Sequence, residues 1–142
     1  MNLRSIVATI SLVLAALVAP GATAAHATQA GECSGSLIEH IPISTYGHLD
    51  VYYDSGTKRN CARTVSSGST WGVSKYMRVI LVVCEQTSPA SSCRQRAMDY
   101  DEGQYKYYAG PRSLPAGGRC ILAMGKIYST EVRTSPMASH CG

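Results

Sequence analysis

Several groups of residues in this chain could do chemistry. His40 and His48 lie close in sequence to Asp50, and an imidazole beside a carboxylate can supply a general base. His48 and Asp50 stand two positions apart, so in a strand they share a face. No nucleophile is fixed beside them, and the pair is expected to be polar and solvent-facing. The stretch GECSG (31–35) has the outline of a nucleophile elbow, but its centre is Cys33. No strand precedes it, as an elbow requires, so Cys33 is read as a disulfide cysteine. Asp99, Asp101 and Glu102 are too close together to flank a sugar from two sides. DYDEG (99–103) has the flavour of a calcium loop but lacks the further spaced acidic ligands. It is expected to be an acidic turn closing on Gly103. No catalytic residue, cofactor or metal ligand is therefore expected, and the chain is read as non-enzymatic.

Aromatic rings offer a different chemistry, because exposed Tyr and Trp can stack on sugar faces. The chain has nine tyrosines, one tryptophan and no phenylalanine. Trp71 sits in a Ser/Gly loop, SSGSTWG (66–72). Strand parity sends Tyr52 away from Leu49 and Val51, and Tyr108 away from Tyr105 and Tyr107. Tyr52, Trp71 and Tyr108 are the candidate ligand-binding residues, and a cell-wall or spore-surface polymer is the candidate partner. A further candidate is the loop EQTSPASS (85–92) between Cys84 and Cys93, which could present a rigid segment to an extracellular protease.

The elements that position these residues read as strands. SLIEHIPI (36–43) is a first strand, with Pro42 marking an edge. HLDVYYD (48–54) alternates with period two, and CARTV (61–65) returns after a polar turn. KYMRVILVVCE (75–85) is apolar on both faces, which predicts a central strand covered on both sides. QYKYYAG (104–110) and RCILAMGKIYS (119–129) complete the set. The tail from Thr130 is polar and is expected to be loose until Cys141 pins it. No αβ alternation and no long helical periodicity follow the N-terminal stretch. The expected fold is all-β: an antiparallel β-sandwich or small barrel of about six strands, disulfide-stapled. Its core is expected from Leu49, Val51, Met77, Val79, Leu81, Val83, Ile121 and Ala123.

Residues 1–27 read as a secretory signal peptide, with Arg4, an apolar run and Ala25-His26-Ala27 as the cleavage motif. The apolar run is shorter than the roughly 20 residues of a membrane span, so no integral membrane segment is expected after cleavage. That leaves a single secreted β domain over 28–142. The net charge of +4 is mild and unclustered, which argues against nucleic acid. All six cysteines fall in the proposed mature part, and an even count in an exported chain implies disulfides. No Cys-x-x-Cys occurs, and no histidine stands at zinc spacing from a cysteine pair. The pairing is left open by the sequence. Cys84 with Cys93 would close a hairpin, and Cys33 with Cys141 would tie the mature ends, leaving Cys61 for Cys120.

Asn60-Cys61, then Asp101-x-Gly103-x-Tyr105-x-x-Tyr108-Ala109-Gly110-Pro111, then Cys120-Ile121 and Gly125-x-Ile127 form an ordered pattern. It resembles the spore-associated protein A family, small secreted proteins of mycelial, spore-forming bacteria. The resemblance implies an exported protein found at the spore surface or cell exterior. It implies no reaction and carries over no catalytic residues. It favours Cys61 with Cys120, since both stand in matching segments. The Cys84/Cys93 loop and the tail to Cys141 look like additions to the pattern.

Overall fold

A computed structural model describes residues 31–142. The signal peptide read at 1–27 and the start of the domain lie outside the described residues. In chain order the strands are β1 (Ser36–Ile43), β2 (Gly47–Asp54), β3 (Arg59–Ser66), β4 (Lys75–Cys84), β5 (Gln95–Tyr105), β6 (Tyr108–Pro115), β7 (Ile121–Ile127) and β8 (Thr130–Arg133). They form two antiparallel four-stranded sheets, β1-β2-β3-β6 and β5-β4-β7-β8. The architecture is a disulfide-stapled sandwich and not a closed barrel.

The core lies between the sheets. Inward residues of β2, β4 and β7 meet there, with Leu49, Val51, Met77, Val79, Leu81, Ile121 and Ala123 fully buried and Val83 nearly so. Every side chain expected in the core is present. Ile43, Ala62, Ala109 and Ile127 join them. Complete burial of such side chains contributes about 1.5–3 kcal/mol each for the larger ones. β4 is central, as its sequence predicts, but its outer face is covered only at the C-terminal end, with Tyr76, Arg78 and Ile80 left half-exposed. Behind it Val82, Cys84, Cys120, Leu122 and Ala138 form a second cluster.

That second cluster corrects the expectation of a loose tail. Thr130–Arg133 forms β8, Thr134 is fully buried, and bridges join Ala138 to Ala90 and Ser139 to Ile121. The tail covers the outer face of β4 at its Val82 and Cys84 end.

Two further expectations are corrected. DYDEG is no turn, because residues 99–103 run through the middle of β5, which pairs with β4. QYKYYAG is no single strand either. β5 ends at Tyr105, Lys106-Tyr107 turns the corner, and β6 starts at Tyr108 in the other sheet.

The disulfides join Cys33 to Cys61, Cys84 to Cys93 and Cys120 to Cys141. Only the Cys84 pair matches expectation, and the Cys33–Cys141 and Cys61–Cys120 pairings are both overturned. Strand parity gives the reason. Ala62 and Thr64 point into the sandwich, so Cys61 points away from it on the first sheet. Cys120 lies in the cluster behind the second sheet. The two cysteines occupy opposite outer faces and cannot meet.

Candidate functional site

Two surface features concentrate the chemistry. The first is the outer face of the first sheet, with Asp50 at its centre. β1 and β2 pair His40 with Asp50 and Pro42 with His48, and β3 sets Arg63 opposite Asp50 on the other side. His40 Nδ1 lies 2.7 Å from Asp50 Oδ1, and His48 Nε2 lies 3.4 Å from Oδ2. Arg63 Nη2 lies 3.4 Å from Oδ2 as well, and donates to the Tyr52 hydroxyl at 2.9 Å. Arg63 Nη1 donates to the Gly31 carbonyl at 2.8 Å, and the guanidinium sits over the Tyr52 ring.

Asp50 is thus buried, 3% exposed, beneath its partners. This corrects the expected solvent-facing pair. The sequence could not reveal it, because the covering groups come from β1 and β3. Burial lowers the His48 pKa, and the positive charges of His40 and Arg63 add to that against the pull of Asp50.

The second feature is an aromatic pair. Trp71 is 55% exposed and Tyr107 44% exposed, with ring centroids 4.8 Å apart. Their backbones are held by one buried cation. Lys75 is 2% exposed, and its Nζ donates to the carbonyls of Thr70 (2.8 Å), Val73 (2.8 Å) and Lys106 (3.1 Å). The Gly72 N–H and the Ser66 hydroxyl also donate to the Lys106 carbonyl. The loop bearing Trp71 and the corner bearing Tyr107 are therefore one hydrogen-bonded unit. Burial lowers the Lys75 pKa, as desolvation of an ammonium must.

The corner is locked from its other side by Asp101. Its carboxylate accepts from the Tyr105 hydroxyl (2.7 Å) and the Gly110 N–H (2.8 Å), with Arg112 Nη2 at 3.4 Å. Burial opposes ionisation of Asp101, but the Gly110, Tyr105 and Arg112 donors outweigh it and hold the carboxyl below its ordinary range. Gly110 has φ +89°, and a side-chain carbon there would lie 2.9 Å from Val79 Cγ1. A glycine is thus required on both conformational and steric grounds.

The structure does not gather the three expected ligand-binding residues into one flat patch. Trp71 packs on Tyr107, and Tyr52 lies under Arg63. Tyr108 is half-buried with its ring against Gly31. Tyr105 faces the core as expected, whereas Tyr107, expected inward, is exposed because the strand has already ended. Lys75 was overlooked. Its signal was parity, since it continues the inward series Met77, Val79, Leu81 and Val83. The other sequence candidates carry structural duties. Cys33 is disulfide-bonded, Asp99 lies 3.8 Å from Arg112, and Glu102 accepts from the Tyr76 hydroxyl.

The chain is 31% identical over 128 residues to Spore-associated protein A of Streptomyces coelicolor (strain ATCC BAA-471 / A3(2) / M145), covering 87% of this chain and 75% of the relative. The chain belongs to the spore-associated protein A family. No protein-family model and no solved structure matches it. The segment that carries the family resemblance, 101–111, is the Asp101 corner and the lead into β6. Its residues shape the turn that presents Tyr107.

Proposed function

We propose that the chain is an exported, non-enzymatic protein that attaches to a polymer of the spore surface or cell exterior through Trp71 and Tyr107. The carrying observation is the rigid aromatic pair. Two exposed rings, tilted 55° to one another, stand on segments that a buried ammonium ties together, and each offers a face on which a sugar ring can stack. Pre-organisation of this kind lowers the ordering cost of binding. Family membership supports the location, since the relative is named as spore-associated. The non-enzymatic part rests on the family relative, whose name as a spore-associated protein accords with such a role.

The protease-inhibitor alternative has less support. Ala90, inside the Cys84/Cys93 loop, exchanges backbone hydrogen bonds with Ala138, so part of that loop is already sheet-like and engaged.

Co-sedimentation with insoluble peptidoglycan, chitin and cellulose tests the proposal. Retention on at least one is expected, with several-fold loss in Trp71→Ala and Tyr107→Ala. Absence of retention on all three, or retention that both variants keep, contradicts it. Fractionation of a sporulating culture tests the location, and protein confined to the cytosol refutes it.

A further inference from the structure

We infer that His40, His48 and Asp50 form a binding site for a divalent transition-metal ion of the zinc class. One ligand atom from each, an imidazole nitrogen from each histidine and a carboxylate oxygen from Asp50, lies within 4.8 Å of the others. Zinc holds such donors at about 2.0–2.2 Å, which in a tetrahedron sets them roughly 3.3 Å apart. The donors farthest apart must therefore draw in by up to about 1.5 Å to coordinate one ion.

The backbone fixes the arrangement. His40 and Asp50 are directly paired across β1 and β2, and His48 stands two positions before Asp50 on the same face. The imidazole centroids are 4.4 Å apart. The ion would replace whatever proton now joins His40 Nδ1 to Asp50 Oδ1. Two imidazoles and a carboxylate leave the outward coordination position to water, and the half-exposed His40 side chain gives a route of entry.

Arg63 serves two opposed roles. It hydrogen-bonds Asp50 from the β3 side and orients the carboxylate, as supporting donors do around metal sites. Its positive charge also subtracts from the affinity for any cation. The site therefore suits ions for which imidazole is a strong ligand, zinc and copper(II) among them. Calcium and magnesium, which take six or more mostly oxygen ligands, have no such set here.

This site is independent of the aromatic pair and can fail without it. The test uses tag-free protein, freed of metal by chelator and titrated with Zn2+ against a chromophoric competitor. Co2+ absorption reports the ligand geometry. One ion per chain is expected, with a visible tetrahedral Co2+ band and no competition from Ca2+. His40→Ala and His48→Ala should each weaken Zn2+ binding by at least about tenfold, the loss usual even for a supporting partner. His140→Ala, whose ring pairs with Glu39, should leave it unchanged. His40→Ala is the decisive variant, because its side chain is half-exposed on an edge strand and circular dichroism can verify its fold. Equal affinity in wild type and folded His40→Ala overturns the site, as does loss of binding in His140→Ala alone.

Discussion

At the scale of single residues, Lys75 and Asp101 do the most to shape the surface around Trp71 and Tyr107. Replacing Lys75 by Met keeps the length of the side chain but removes three hydrogen bonds; the Thr70 and Lys106 carbonyls keep backbone donors in Val73 and Gly72, whereas the Val73 carbonyl loses its ammonium donor. Each unsatisfied buried group costs about 1–3 kcal/mol. Lys75→Met should lower stability in urea unfolding by at least the low end of that range and shift Trp71 emission toward longer wavelengths. Wild-type stability with unchanged emission would show that the loop is held otherwise. Asp101 makes a pH prediction. Its carboxyl is held below the ordinary range in the fold, so the unfolded chain binds its proton first as pH falls. The stability it contributes is present above the usual carboxylate pKa of about 4 and is lost as pH drops through the folded value. Asp101→Asn should flatten the decline in thermal midpoint below about pH 4 relative to wild type. Equal slopes would remove the carboxylate from the account. Trp71 was legible as an exposed ring from its Ser/Gly setting. Tyr107 was not, because parity counts hold only within a strand and Tyr105 ends one.

At the scale of elements, β1 to β4 and β7 were readable because each carries a period-two or doubly apolar pattern. β5 was hidden for a physical reason. It is an edge strand whose residues are all half-buried or exposed, so its pattern is polar, and Asp99 and Asp101 look like turn residues. β8 and the tail were hidden because a disulfide and backbone bridges hold them, and composition registers neither. The sandwich is tightest where β7 crosses β2 and β3. A side-chain carbon at Gly125 would lie 2.7 Å from Thr64 Oγ1 and 3.0 Å from Leu49 Cβ. Gly125→Ala must push the sheets apart or force Thr64 from its hydrogen bond to the Arg78 carbonyl. A loss of about 1–3 kcal/mol in chemical denaturation is expected, as for other overpacked cores. An unchanged midpoint would mean that the sheets slide freely at this point.

At the scale of the whole molecule, two sheets and three covalent staples make one block. The loops those staples close correspond to about 2.5 kcal/mol for the shortest and about 3.5 for the two longer ones on a chain-entropy basis. Such a block suits an exposed location, where it must persist without help from a cellular interior. The family segment, read from sequence as a family mark, is the locked corner between the two sheets. It carries the chain from one sheet to the other and holds up Tyr107 as it turns. Binding of polymer by the Trp71–Tyr107 pair can be tested directly, because of the chain's composition. Trp71 is the chain's one tryptophan, so emission excited beyond the tyrosine band reports on that surface. Titration with soluble chitin, cellulose and peptidoglycan fragments should give a saturable change in Trp71 emission for at least one of them. That change should be lost in Tyr107→Ala and kept in Tyr52→Ala. Emission that stays flat for all three, or a change that Tyr107→Ala leaves intact, would contradict the account.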